Sequence, residues 1–192
     1  MLRLLAVAAL VVWPLNAIFL VQLHITLDFW RKIRRVTYLV IGTEWLFASV
    51  VVIELQDLLL GPELDLGALS WFGLISMLVG MGLHTWTGWL LGLKGLMGYP
   101  EIKPRSVSQK LVTTGPFSVA RHPTYLAHTL MFVGVFLMTG FLGTGLLALI
   151  DFMTSYFIII PLEERELEAR FGNEYRRYRQ GVPKFIPRFS RS

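Results

Sequence analysis

Long apolar runs constrain this chain more than any other feature. Met1–Ile25 is apolar after Arg3 and interrupted only by Asn16, Gln22 and His24. Thr37–Ile53 is a second run, and Leu66–Leu93 is a third, rich in glycine and broken only by Ser, Thr and His84. Leu126–Met138 and Phe141–Ile160 follow, with only Thr139-Gly140 between them. A stretch of about 18 apolar residues or more reads as a helix crossing a bilayer, and so tight a connection permits only a helical hairpin. With 54% hydrophobic and 16% charged residues over 192 positions, the expected fold is an all-α integral membrane protein of about five transmembrane helices. Leu126–Met138 is short for a crossing unless Pro123–Tyr125 extend it. The first run is expected to be a retained span, because Leu15-Asn16-Ala17 lacks the small-x-small pattern of a cleavage site and the run continues to Val21.

The polar connections carry the charge. Arg31-Lys32-Ile33-Arg34-Arg35, the segment Lys94–Arg121 and the C-terminal region are basic, whereas Glu54, Asp57, Glu63 and Asp65 make one acidic loop. The positive-inside bias then places the N-terminus outside, the three basic regions in the cytosol, and the C-terminus with them. A net charge of +5 fits cytosolic loops facing anionic lipid, and nucleic acid is not an expected partner. The chain has no cysteine, which excludes disulfides, thiolate metal sites and a cysteine nucleophile. Its histidines, His24, His84, His122 and His128, lack ligand spacing, so no metal site is expected.

Prolines 100, 104 and 116 prevent one continuous helix between Lys94 and Pro123. Pro161–Gln180 reads as one amphipathic helix, with Leu162, Leu167, Phe171, Tyr175 and Tyr178 at roughly helical spacing and Gly172 a local weakness. Pro183 and Pro187 keep the following Val182-Pro183-Lys184-Phe185-Ile186-Pro187 extended. Two parts are expected: residues 1–93 with three transmembrane helices, and residues 94–192 with the cytosolic loop, the hairpin and the amphipathic helix. Gly88 and Gly92 stand at GxxxG spacing, with Gly80 and Gly82 before them. Such glycines permit close packing within or between chains and leave the oligomeric state open.

Two polar features are expected at one membrane face. Arg121-His122-Pro123-Thr124-Tyr125 opens the fourth span, where Pro123 suits the first turn and free N–H groups can bind an anion. The alternative is that Arg121 and His122 anchor the span beside headgroups. Glu163-Glu164 follows Pro161, where acidic residues favour a first helical turn and can also hold an ammonium group.

Taken together, KLVTTGPFSVARHPTY from Lys110 to Tyr125, the apolar hairpin, and EERELEARFGNEYRRYRQGVPKFIPR up to Arg188 resemble the isoprenylcysteine carboxyl methyltransferase family, membrane enzymes related to phospholipid N-methyltransferases. The resemblance implies a cytosolic S-adenosylmethionine pocket closed by the C-terminal segment. It implies that Lys110, Leu111, Val112, Gly115, Pro116 and Phe117 line the cofactor, that His122, Pro123 and Tyr125 form its floor, and that Glu163 or Glu164 takes its ammonium. Arg121 is a candidate for the cofactor's carboxylate or for a structural ion pair. Arg121, His122 and Tyr125 are the catalytic candidates; for an amine acceptor, His122, His128 or Tyr125 is the candidate base. The acceptor is a lipophilic small molecule or lipid reached from the bilayer. Prenylcysteine-specific members commonly carry an arginine shortly before the Glu pair; here Phe157-Ile158-Ile159-Ile160-Pro161 holds no charge, leaving Lys94 or Arg105 as substitutes. A similar Arg-His-Pro-x-Tyr occurs in NADPH-dependent sterol reductases, and a non-enzymatic membrane ligand carrier is the third reading. Glu44, His84 and Asp151 fall inside spans, as an acceptor pocket or as interhelical hydrogen bonds.

Overall fold

The computed structural model describes residues 1–33, 36–102 and 110–185; Arg34, Arg35, Pro104, Arg105, Ile186, Pro187 and Arg188 of the sequence reading lie outside them. The described residues are helical, without a strand. In chain order the helices are α1 (Leu2–Ile25), α2 (Leu27–Ile33), α3 (Val36–Glu54), α4 (Gln56–Leu60), α5 (Leu69–Leu96), α6 (Tyr99–Ile102), α7 (Pro123–Thr139), α8 (Leu142–Thr154), α9 (Ile160–Phe171) and α10 (Asn173–Gly181). A short 3₁₀ turn covers Gly115–Ser118, and a π turn covers Ser155–Ile159 between α8 and α9. Four helical stretches are long and apolar enough to cross a membrane: α1, α3, α5 and the continuous Leu142–Phe171. α7 has 17 residues, about 26 Å of helix, and it reaches that length because Pro123–Tyr125 form its first turn. Large apolar side chains such as Leu39, Phe47, Trp71 and Trp89 face outward, as lipid-facing surfaces do.

The tightest packing is between α5 and α7, and small residues make it possible. A Cβ on Gly73 would stand 2.8 Å from the Gly134 carbonyl oxygen, and one on Gly134 would stand 2.7 Å from that of Gly73. Seven residues further along α5, a Cβ on Gly80 would stand 2.8 Å from the Ala127 carbonyl oxygen. The backbones therefore run antiparallel in direct contact, which only glycine allows at these positions. Ser76 Oγ adds a 2.8 Å hydrogen bond to the Leu130 carbonyl across the same seam. The Gly88/Gly92 pair does not supply this contact. Among the described residues Gly88 meets only Leu96 of its own helix, and Gly92 adopts φ 68°, breaking α5 near its end.

Two other expectations are corrected. Pro161 does not start a separate helix: α8 runs through the π turn into α9. A proline inside a helix lacks one N–H and its ring crowds the carbonyl four residues back, and the wider π turn immediately upstream relieves that crowding. Glu163 and Glu164 thus sit within a long helix and not at a free N-terminus. Nor is Pro161–Gln180 one helix, because Gly172, at φ 54°, separates α9 from α10.

The α7–α8 hairpin turns on Gly140 at φ 70°. The loop after α4 straps that turn through Leu64 N–H to the Gly140 carbonyl, 2.9 Å, and Leu142 N–H to the Pro62 carbonyl, 2.9 Å. α1 is tied to α3 by Trp45 Nε1 donating to the Val11 carbonyl at 2.9 Å and by Gln22 Nε2 donating to exposed Glu44 at 3.3 Å. Glu44 thus makes an interhelical bond. Gly134→Val is expected to force α5 and α7 apart and destabilise the protein by about 1–3 kcal/mol, measured as a lower unfolding midpoint in detergent. Gly82→Ala, with no described neighbour within 4 Å of the new Cβ, should leave the midpoint in place or raise it.

Candidate functional site

The Arg121-His122 segment enters the interior because the C-terminal tail pairs with it. Arg121 N–H donates to the Pro183 carbonyl at 2.9 Å and His122 N–H to that of Lys184 at 3.2 Å. Behind this strap Phe185 is buried against Tyr125, Ile159 and Ile160, and the Lys184 ammonium lies 4.8 Å over the Tyr156 ring. Tyr178 of α10 donates to the Phe117 carbonyl at 2.6 Å, fastening that helix to the 3₁₀ turn.

Beneath the strap four ionisable groups from two elements meet. Glu164 accepts from Arg121 Nη2 at 2.7 Å and Nε at 3.0 Å, and its Oε1 lies 3.2 Å from His122 Nε2. The Arg121 and Glu164 side chains are each 8% exposed, so this is a buried pair. The remaining Arg121 nitrogen, Nη1, donates to the carbonyls of Arg179 and Val182. Every nitrogen of the Arg121 guanidinium is thereby engaged with protein. The other face of His122 turns to Glu163, with Nδ1 3.5 Å from Oε2. Burial alone would lower the His122 pKa, but hydrogen bonds and charge from Glu163 and Glu164 outweigh it and hold the value above the ordinary one. Burial raises Tyr178 to about 12 and raises Tyr175 as well.

A cavity of about 400 Å³ adjoins this cluster. It is walled by Lys110, Leu111, Val112, Phe117, Arg121, His122, Tyr125 and Glu163 from the sequence reading. Gly115, Pro116, Pro123 and Glu164 stand outside the wall and shape the segments that carry it. Glu163 is the carboxylate that reaches the cavity, and its buried Oε2 has no hydrogen-bond partner among the described residues. Tyr175, fully buried in the wall, has a hydroxyl in the same condition.

Several wall residues were not among the site candidates of the sequence reading. Phe19, Leu20, Leu23 and His24 come from α1, and Leu167, Arg170 and Phe171 from α9. The pattern of α9 and α10 marked Leu167, Phe171, Tyr175 and Tyr178 as an inner face, but nothing in the sequence linked α1 to it. His84 and His128 also line the cavity, their rings 4.9 Å apart. Asp151, 2% exposed, is buried in α8 away from this wall.

A membrane-spanning helical bundle with carboxylate, imidazole and aromatic groups around an internal cavity is the class of protein that this fold and site define. The phospholipid methyltransferase family matches residues 69–174, and the chain belongs to that family of membrane methyltransferases. Similar proteins include the cobalt-zinc-cadmium resistance protein CzcN of Cupriavidus metallidurans, 36% identical over 42% of this chain and 37% of the relative. Methanethiol S-methyltransferase 2 of Bradyrhizobium diazoefficiens is 33% identical over 56% of this chain and 45% of its own length. Protein-S-isoprenylcysteine O-methyltransferase of Schizosaccharomyces pombe is 34% identical over 43% of this chain and 35% of its own. Each match thus takes in less than half of the relative. No solved structure matches the chain significantly.

Two outcomes test the electrostatics. Glu164→Gln leaves Arg121 buried without its counter-charge and is expected to cost about 3–5 kcal/mol, read from unfolding in detergent. His122 contributes stability through its raised folded-state pKa. That contribution is complete below about pH 6.5, the ordinary histidine value, and is lost as pH rises through the folded value. The midpoint difference between wild type and His122→Gln should therefore be largest on the acid side and shrink on the alkaline side. A difference that grew with pH would contradict the pairing.

Proposed function

We propose that the protein is a membrane-embedded, S-adenosylmethionine-dependent methyltransferase acting on a lipophilic acceptor, with its cofactor site in the 400 Å³ cavity. The observation that carries this reading is the buried Glu163 Oε2, which makes no hydrogen bond among the described residues and has only the 3.5 Å ion pair to His122, in a wall that also holds Lys110, Leu111, Val112, Phe117 and Tyr125. A zwitterionic cofactor with a free ammonium supplies a hydrogen-bond donor to this oxygen beside the longer contact from His122, and the residues fit it. Glu163 takes the ammonium. Lys110, exposed at the edge of the cavity, faces the cofactor's carboxylate, while Arg121 remains committed to Glu164. When bound, the cofactor supplies a methyl group already activated by a sulfonium.

The protein's own residues then position, desolvate and orient. Arg121 and His122 fix Glu164 and Glu163, so they act as positioning residues. Tyr125 shares the cavity wall with Glu163 and helps keep its carboxylate ionised. Leu111, Val112, Phe117 and Phe171 exclude water, which favours alignment and attack on a cationic donor. The topology belonging to this reading has five spans, the N-terminus outside, and the cavity on the cytosolic side under α9 and α10. In it, residues 94–192 carry most of the cofactor site and residues 1–93 complete the cavity. By name, relatives methylate methanethiol or protein isoprenylcysteine; a lipophilic acceptor covers both. The uncharged stretch Phe157–Pro161 favours an acceptor other than prenylcysteine.

Thermal unfolding in detergent with S-adenosylmethionine, with its demethylated product, or with NADPH tests this. The first two, at about a hundred times their dissociation constants, should stabilise by about 2.7 kcal/mol. Glu163→Gln should bind them at least tenfold more weakly, having lost a hydrogen bond to a charged group. Stabilisation by NADPH alone would replace the reading with a reductase, and none by any ligand would leave a carrier.

A further inference from the structure

We propose that a second cavity, beside the C-terminal strap, binds the headgroup of an anionic phospholipid from the adjoining leaflet. This cavity has about 480 Å³, a size suited to a small polar ligand. Phe152 and Tyr156 come to it from the Leu142–Phe171 stretch, Arg179 and Gln180 from the end of α10, and Lys184 and Phe185 from the strap. Arg121 completes the lining and is the one described residue shared with the first cavity. Such a site requires only the membrane setting and not the methyl-transfer chemistry.

The charge of this wall is one-sided. It carries Arg121, Arg179 and Lys184 and, among the described lining residues, no carboxylate. Arg121 is neutralised by Glu164. Arg179 reaches Glu168 at 3.4 Å and Glu164 at 3.9 Å. Glu168, however, also serves Arg176 at 2.8 Å, and Glu164 serves Arg121 at 2.7 Å. Three arginines thus share two carboxylates, and one positive charge is left over. Lys184 adds another, because among the described residues its ammonium pairs with no carboxylate and rests 4.8 Å over the Tyr156 ring. A phosphate diester shared by Lys184 and Arg179 supplies the missing anion, with the Gln180 amide as a neutral donor beside it.

Position makes the ligand a lipid. Phe152 and Tyr156 stand on a helix long and apolar enough to cross a membrane. Tyr156 lies about 10 Å along that helix from Glu163, where the apolar run ends, at a depth where aromatic side chains collect beside headgroups. Its ring touches that of Phe157 at 5.1 Å between centroids. Phe157, Ile158 and Met153 are exposed and offer acyl chains an apolar surface next to the cavity. The aromatic rings then select the sign of the headgroup. Phe152, Tyr156 and Phe185 contact one another, and such a cluster can hold a quaternary ammonium. The Lys184 ammonium already takes the Tyr156 face, so a choline meets like charge and no carboxylate. A phosphatidylglycerol brings a phosphate and an uncharged glycerol, which suit the wall. The bound headgroup also braces the strap, whose Pro183 and Lys184 carbonyls accept the Arg121 and His122 N–H groups.

The test follows thermal unfolding of the full chain, stripped of lipid in a neutral detergent. Dihexanoyl phosphatidylglycerol, dihexanoyl phosphatidylcholine or inorganic phosphate is titrated in. Phosphatidylglycerol should raise the midpoint saturably, and the other two should not at the same concentrations. Lys184→Gln should weaken phosphatidylglycerol about tenfold, and Lys184→Arg should keep it. Arg177→Gln, on α10 but outside this cavity, should bind it as wild type does. If Lys184→Gln fails to fold, Gln180→Glu places a carboxylate in the same wall and should weaken the lipid as much. Absence of a saturable shift, equal binding of phosphatidylcholine, or wild-type binding by both Lys184→Gln and Gln180→Glu overturns the proposal. An equal loss in Arg177→Gln means diffuse attraction to the basic surface of α10 and overturns it too. A shift reproduced by inorganic phosphate alone assigns the cavity to a soluble anion and ends the lipid assignment.

Discussion

The buried bond between Arg121 and Glu164 is the constraint on which the site depends. Each of these charges alone would be costly away from water, and together with His122 and two tail carbonyls they satisfy one another. The bond fastens three distant pieces of chain: the segment before α7, the end of the long Leu142–Phe171 helix, and the tail after α10. A hydrophobic pair of similar size could offer comparable stability, but it would not fix the orientation of a neighbouring carboxylate. Here that orientation matters, because the geometry holding Glu164 inward is the geometry that turns Glu163 to the cavity.

The second constraint is steric. With Gly73, Gly80 and Gly134 at the seam, α5 and α7 approach to backbone contact, and this approach brings His84 against His128. The glycine seam thus supplies more than helix association. It sets the width of the cavity wall at the level where the imidazoles stand.

Much of the architecture was legible in the sequence, because a bilayer penalises unsatisfied backbone and so turns each long apolar run into a helix. The hairpin at Gly140 and the inward face of Leu167, Phe171, Tyr175 and Tyr178 follow from local chemistry that needs no partner to be read. Pro161 and Gly172 misled for the opposite reason. A proline suggested a helix start, and an upstream π turn absorbed it; a glycine suggested a local weakness, and the chain broke there. Gly88 and Gly92 matched a packing pattern, yet the glycines in contact are spaced by seven, a choice that depends on which face α7 occupies.

The sequence by itself determined the class of fold, the membrane setting and the set of polar residues around Arg121-His122 and Glu163-Glu164, since composition, periodicity and short motifs are properties of neighbouring residues. Tertiary structure decided how those residues divide their work. Adjacent glutamates are chemically equivalent on paper; packing gives Glu164 a guanidinium and leaves Glu163 at a cavity with only the longer ion pair to His122. His24, near the other end of the chain, is an isolated polar residue in an apolar run until α1 packs beside α7 and α9. Which carboxylate or imidazole is satisfied depends on contacts between residues far apart in sequence, and only the folded chain makes those contacts.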